Sequence, residues 1–346
     1  MSNPIIRQDI SEVIARPLDW SGLSGKSVLV TGAAGFIAAY LVEVLLALNK
    51  SLGLGIHVVA LVRNEQRARL RFKDHAGSPG FELLVQDVCA PLRYERKVDI
   101  VIHAASQASP KFYRVDPVGT LRPNIVGTDL LLQFAHEQAV SHFLFFSSAE
   151  VYGDASQDTG IDEKFLGRLD QTNIRSCYAE SKRVAETMCV SWHAQHGLPV
   201  QIVRPFHTYG PGLDLEDGRI FADIIASVVR GNDIQLTSDG SAVRAYCYIA
   251  DAVAAYFYIL LRGAFGEAYN VGNEEQTASV SELVTRVQAA FPERAIGVRR
   301  LAPKHEYYAS SVNSIIPDTR KLRHLGWNPS VGIEDGFRRS VLSHSP

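Results

Sequence analysis

Ser27-Val28-Leu29-Val30-Thr31-Gly32-Ala33-Ala34-Gly35-Phe36-Ile37-Ala38-Ala39 decides the fold. Ser27 to Val30 is an apolar run of strand length, and Thr31 to Gly35 reads as a turn. From Phe36 to Asn49 apolar residues recur near the helical period. Strand, glycine turn and helix in that order open a dinucleotide-binding βαβ unit. Gly32 permits the tight turn. Gly35 lets backbone N–H groups approach a pyrophosphate at the helix N-terminus, where the dipole favours anions. Ala38 is small enough for close packing of helix on strand. Gly32, Gly35, Phe36 and Ile37 are therefore candidate cofactor contacts.

Outward from this unit the pattern repeats. His57 to Val62, Phe81 to Val85, Asp99 to His103, Phe143 to Ser147 and Pro199 to Arg204 read as further strands. Helical stretches separate the later ones, notably Gly127 to Gln138 and Tyr178 to Gln195. Such alternation implies an α/β fold: a Rossmann-type, doubly wound parallel sheet with helices on both faces. Residues 1–25 are a lead-in with a short helix from Ile5 to Ile14. Residues 26–204 form the dinucleotide-binding domain. Residues 205–245 and 263–346 form a smaller C-terminal substrate domain, and 246–262, a strand followed by a helix, returns to the first.

A length of 346 residues suits about two domains. Lys plus Arg number 35 and Asp plus Glu 37, so no strong field favours nucleic acid or an anionic membrane. No apolar run approaches the roughly 18 residues of a membrane span. Cys89, Cys177, Cys189 and Cys247 show no paired spacing, which speaks for thiols in a reducing, cytoplasmic setting. His103, His193 and His196 lack a third ligand at metal spacing, so no metal is expected. Ser147 and Ser148 lack a Gly-x-Ser-x-Gly elbow, which excludes that type of hydrolase nucleophile.

The strand ends supply further candidates. Dinucleotide folds place an acidic residue after the second strand, on the adenosine ribose; here Arg63 and Asn64 follow Val62. Arg63 either accepts a 2′-phosphate, favouring NADP, or is a solvated surface residue. Arg67, Arg69, Arg71 and Lys73 continue a basic run that reads as a solvated face. Asp87 and Val88 follow the third strand, with Asp87 placed to meet the adenine. Ala104, Ala105 and Ser106 follow the fourth, beside the pyrophosphate and nicotinamide ribose.

Tyr178 and Lys182 are four apart on one helix and share a face. An ammonium near a phenol stabilises phenolate. Tyrosine then takes a proton from a hydroxyl while hydride leaves for nicotinamide. Ser148, after the fifth strand, would bind the same hydroxyl.

The combination of Thr31 to Ile37, His103 to Ser106, Asn124, Ser147 to Gly153, Tyr178 to Lys182 and Arg204 to Pro211 resembles one family. These are the extended short-chain dehydrogenase/reductases, the NAD-dependent nucleotide-sugar epimerase/dehydratase family. The resemblance runs from Lys26 to Pro329. HAASQASPKFYRVDPVGTLRPNIVGT (103–128), RSCYAESKRVAETMC (175–189), LEDGRIFADII (215–225) and VRAYCYIADAV (243–253) look most like UDP-glucuronate decarboxylases. The resemblance implies tightly held NAD, oxidation at C4 of a nucleoside-diphosphate sugar, and a homodimer through the helix from Tyr178 and that near Leu121–Gln138. It implies Pro205 at the cofactor, and His207, Arg219 and Arg244 at the nucleotide or its diphosphate. Asn270 to Asn273 would be a loop of the nucleotide-sugar domain. Surface polysaccharide synthesis is the implied setting.

Two departures bear on the chemistry. Decarboxylases carry Thr-Ser-Glu where this chain has Ser148-Ala149-Glu150, and an arginine where it has Ile315. The 4,6-dehydratases use an aspartic acid at the position of Ala149. Ser-Ala at these positions is the pattern of many 4-epimerases, which need no acid beyond the tyrosine. The site residues thus favour 4-epimerisation, with decarboxylation, 4,6-dehydration and 4-keto-sugar reduction as alternatives. Glu150 is the candidate for any chemistry after C4 oxidation, or else a structural carboxylate.

Overall fold

A computed structural model describes residues 3–155, 160–301 and 314–344. The parts of the expected domains that fall on 1–2, 156–159, 302–313 and 345–346 lie outside the described residues. In chain order the first half runs α1 (Pro4–Ile14), β1 (Ser27–Thr31), α2 (Phe36–Leu52), β2 (His57–Val62), α3 (Glu65–Arg71), β3 (Phe81–Val85) and β4 (Ile100–His103). It continues through α4 (Phe112–Val115), α5 (Pro117–Glu137), β5 (His142–Phe146), α6 (Cys177–His196) and β6 (Val200–Pro205).

Every strand read from the apolar runs is present, within a residue or two. β1 carries no polar side chain between Val28 and Val30, as a strand buried on both faces requires. Helix α5 begins ten residues before the expected Gly127. Asp116 caps it, its side chain accepting from the Gly119 N–H at 3.0 Å, and Pro117 occupies the first turn. Pro123 lies inside the helix. Glycine and proline read as breakers hid this first part, and the cap outweighs them.

The second half contributes β7 (His207–Tyr209), α7 (Ile220–Arg230), β8 (Ile234–Leu236), β9 (Val243–Tyr248), α8 (Ile249–Arg262) and β10 (Glu267–Val271). Then follow β11 (Thr277–Ser279), α9 (Val280–Ala290), β12 (Val298–Arg300), β13 (Ser314–Ile315), α10 (Arg320–Arg323) and α11 (Ile333–Leu342). The large sheet has the order β10-β6-β5-β4-β1-β2-β3, all parallel. The order reverses between β1 and β4, and this switch point is where such sheets bind ligands.

β10 was not legible as a strand, because Glu267 and Asn270 break its short apolar run. Asn270 therefore belongs to an edge strand of the large sheet, not to a loop. It is buried, with Nδ2 donating to the Ile161 carbonyl at 2.8 Å. In the segment 246–262 the strand residues pair with β7, β11 and β13 in a small sheet. Only the helix, α8, lies against the large one, sharing a continuous apolar core with β1, α1 and α2. Among the described residues no helix is long and apolar enough to cross a membrane.

Gly32 has φ +64°, and a Cβ there would lie 2.7 Å from Ala105 Cα. Gly53 has the same φ, +65°, with nothing within 4 Å. Gly53→Ala should therefore cost about 1 kcal/mol, the price of the left-handed conformation alone. Gly32→Ala should cost on the order of 3 kcal/mol, because strain and overlap with backbone add. Denaturant midpoints of the two variants would show the difference.

Candidate active site

The glycine turn and the loop after β4 meet at the switch point. Gly35 caps α2, its N–H donating to the Gly32 carbonyl at 2.8 Å. The Ala105 N–H donates to Thr31 Oγ1 at 3.1 Å, so Ala104, Ala105 and Ser106 lie against the turn. Phe36 and Ile37 occupy the first turn of α2. Ser106 Oγ and Ser147 Oγ are enclosed without hydrogen-bond partners. A glycine cradle at a helix N-terminus, beside two unspent hydroxyls, fits a dinucleotide. These residues would hold its pyrophosphate and ribose, and its nicotinamide would supply hydride transfer.

Asp87 and Val88 follow β3, the Asp87 carboxylate accepting from the Cys89 N–H at 2.9 Å. Val88 is buried against Gly127 of α5. Pro205 ends β6 opposite Val271 of β10. Arg63, just past β2, is exposed. In the basic run, Arg69 pairs with Glu65 at 2.6 Å and Arg71 lies partly buried against Gly212. Only part of that run is a solvated face.

Tyr178 and Lys182, in the first turns of α6, are both buried. Lys182 Nζ donates to the Phe146 carbonyl at 2.6 Å, which ties α6 to the end of β5. It stands 5.8 Å from the Tyr178 ring centre. Burial pushes the ammonium down to about 7. Burial also pushes the Tyr178 phenol up to about 12, opposed first by Ser148 and then by Arg219 and Ser106. The expected lowering by Lys182 is thus not what dominates: desolvation wins, and the groups favouring phenolate are a hydroxyl and a guanidinium. Ser148 Oγ accepts from the Glu150 N–H at 3.2 Å, so its own proton is left for another acceptor.

Two residues here were not singled out from the sequence. The Tyr113 ring stacks on Tyr178, with centroids 5.2 Å apart and planes 13° apart. The Arg175 guanidinium lies over Tyr113, 4.8 Å from the ring centre. It also grips both Glu150 oxygens, at 3.1 and 3.2 Å. Glu150 is therefore half of an ion pair rather than an open base. Arg175, three residues before Tyr178, was a visible cation near the motif. Tyr113 gave no comparable signal.

The three expected nucleotide contacts come together. The His207 ring lies between Phe221 and Tyr246, at 6.4 and 6.1 Å. Burial, with Arg244 and Arg219 beside it, pushes its pKa down to about 3, so it is neutral. Its Nδ1 is enclosed without a partner. Arg219 pairs with Asp217, which raises its pKa, and also acts on Tyr113 and Tyr178. Arg244 is buried in β9. Cations beside a neutral, hydrogen-bonding imidazole suit a diphosphate with its nucleoside.

The two departures also meet. Ala149 and Ile315 belong to one apolar cluster with Val151, Tyr152, Ala155, Ile161 and Phe206. Among the described residues no group of three or more His, Cys, Asp or Glu is placed to hold a metal.

The family model for the NAD-dependent epimerase/dehydratase family matches residues 28–272. The chain belongs to that family. It is an enzyme of this NAD-dependent type. UDP-glucuronic acid decarboxylase 6 of Arabidopsis thaliana is 33% identical over 315 residues, 91% of this chain and 87% of that protein. The UDP-glucuronic acid 4-epimerase of Bacillus cereus, solved with UDP-glucuronic acid and NAD, superposes with a TM-score of 0.78 at 22% identity, over 92% of this chain and 98% of that one. The dTDP-glucose 4,6-dehydratase of Streptomyces venezuelae, solved with NAD, has a TM-score of 0.78 at 25% identity, over 92% and 96%. The chain thus shares its fold with epimerases and dehydratases, and a third of its sequence with decarboxylases.

The folded chain holds the Lys182 proton less firmly than the unfolded chain, whose lysine keeps its ordinary value of 10.5. The charged form therefore costs stability in full below pH 7, and the cost fades as pH rises through that window. Replacing the ammonium removes this dependence. The stability of Lys182→Met relative to the parent should be most favourable near about pH 6 and should decline by about pH 9, as read by thermal melts.

Proposed function

We propose that this enzyme oxidises C4 of a nucleoside-diphosphate sugar and returns hydride to the opposite face, a 4-epimerisation. Tyr178 accepts the proton of the C4 hydroxyl and later gives it back. Ser148, its proton uncommitted, orients that hydroxyl. Lys182 holds the end of β5 and the nicotinamide ribose. Arg219, Arg244 and His207 hold the diphosphate and nucleoside. The cofactor ends each cycle in the state in which it began, so no second substrate is needed.

The observation that carries this reading is the apolar cluster of Ala149 and Ile315. Decarboxylation and dehydration follow C4 oxidation with further proton transfers. The positions where the resemblance places a serine or aspartic acid and an arginine for those steps hold two hydrocarbons here. Glu150, the remaining carboxylate, is engaged by Arg175. Epimerisation asks only for a reversible hydride transfer and room for the ketose to turn. The second reading, decarboxylation of UDP-glucuronate, is favoured by the 33% identity to a UDP-glucuronic acid decarboxylase.

Proton NMR in D₂O separates the two. The purified protein is given UDP-glucuronate and then other UDP-, dTDP-, GDP- and CDP-sugars, without added cofactor. Inverted coupling at C4 with no loss of carbon is expected; a pentose product would overturn the proposal in favour of decarboxylation. On an accepted sugar, Tyr178→Phe should lower turnover by at least about a hundredfold, as loss of a general acid/base does.

We further infer a homodimer and a cytoplasmic setting. Val184, Met188 and Trp192 of α6, with Asp129 of α5, line a groove on the outer face of the helix pair. Val184 is exposed there. All four cysteines are free thiols, which supports a reducing compartment. Val184→Glu would put a charge into the shared face, and light scattering should then report half the parent mass.

A further inference from the structure

The exit of β2 carries two unpaired arginines at the place where a dinucleotide turns its adenosine ribose. The position is fixed by backbone bonds. The Ala33 N–H of the glycine turn donates to the Leu61 carbonyl at 3.2 Å. The Gln86 N–H, at the exit of β3, donates to the Val62 carbonyl at 2.9 Å. Arg63 therefore leaves β2 between the glycine turn and the Gln86–Asp87 loop. In this fold an acidic residue at that point binds the ribose 2′-hydroxyl and repels a 2′-phosphate. Arginine does the reverse.

The surrounding charges leave Arg63 available. Asn64 caps α3, its side chain accepting from the Arg67 N–H at 2.9 Å, so Arg67 sits one turn from Arg63. The one acid of this turn, Glu65, is taken by Arg69. Arg71 is committed to the interior, with Tyr40 and Glu43 as charge partners. Asp87, across on β3, turns a carboxylate oxygen to the Cys89 N–H. Among the described residues, Arg63 and Arg67 thus carry positive charge into the ribose corner with no carboxylate spent on either.

We propose that Arg63, supported by Arg67, is a 2′-phosphate site, and that this enzyme binds the 2′-phosphorylated dinucleotide more tightly than NAD. Two guanidiniums give a phosphate monoester paired, charge-assisted hydrogen bonds; the unphosphorylated ribose offers them only hydroxyls. The proposal rests on the dinucleotide crevice and not on the sugar reaction, so it stands or falls apart from the epimerase reading.

The test is direct binding by titration calorimetry on protein freed of cofactor, with no sugar present. The ligands are NAD⁺ and NADP⁺, and then ADP-ribose and its 2′-phosphate. The parent should bind the phosphorylated member of each pair roughly tenfold tighter or more, a ratio that falls with added salt. Arg63→Asp should invert the preference, and Arg67→Ala should reduce it while leaving NAD⁺ affinity unchanged. Equal or tighter binding of NAD⁺ by the parent overturns the proposal. So does a ratio that Arg63→Asp leaves unmoved. Arg63 is exposed and outside the core, so the variant's fold, checked by its melt, is not at stake.

Discussion

One chain of buried hydrogen bonds joins the cofactor turn to the catalytic helix. Thr31, the last residue of β1, accepts from the Ala105 N–H and lies 2.9 Å from His103 Nδ1. His103 Nε2 is 3.1 Å from Thr128 Oγ1 on α5. Thr128 spends its proton on the Asn124 carbonyl. It must therefore accept from Nε2–H, and Nδ1 must accept from Thr31. That assigns His103 as the neutral Nε2–H tautomer. Burial, with Lys182 nearby, pushes its pKa down to about 3, so the same tautomer persists through physiological pH. Asn124 then donates to Ser181 Oγ at 2.9 Å, and Ser181 donates to the Tyr178 carbonyl at 2.7 Å. A histidine read from sequence as a core or loop residue thus fixes the register between the two halves of the site.

The same burial that makes this network rigid sets the protonation of the catalytic pair. An ammonium and a phenol enclosed together both favour their neutral forms. At rest Tyr178 is a protonated phenol, with Lys182 near its titration point. Departure from that state needs charge brought from outside the pair. Arg219 is already close enough to pull the phenol downward, and it belongs equally to the nucleotide corner with His207 and Arg244. A positive nicotinamide ring bound beside the phenol acts in the same direction. Tyr178 is thereby coupled to occupancy of the crevice: the residue that must ionise is held neutral until its electrostatic partners arrive. Tyr113, stacked on it and capped by Arg175, confines the ring so that little orientational freedom remains to be lost at reaction.

What could be read from the sequence is what the chain encodes locally. The turn from Thr31 to Gly35 and the Tyr178–Lys182 pair are each written within a few residues, and each strand of the parallel sheet is a short apolar run. Long-range pairings were not legible. Glu267 and Asn270 disguise β10, because an edge strand has only one neighbour and tolerates polar residues. Tyr113 reaches Tyr178 from a different segment of chain, and ring stacking leaves no spacing rule. Arg175 was visible as a nearby cation, but only the fold shows that it closes on Glu150.

The apolar corner is the most consequential of these tertiary facts. Ala149 follows the catalytic Ser148, whereas Ile315 comes from the far end of the chain and pairs across β9 with Arg244. A single replacement at either position would leave a polar partner facing hydrocarbon, which costs a buried group its hydrogen bond. Replacement at both leaves no orphan and gains packing with Phe206 and Ile161. The two changes are thus one change in physical terms. An acid or cation restored at one position alone would meet hydrocarbon at the other. The chain keeps what C4 oxidation requires, a serine, a tyrosine and a lysine, within a residue or two of a surface that offers no proton. Such a surface stabilises a ketose without reacting further with it, which is the condition under which hydride can return to the other face.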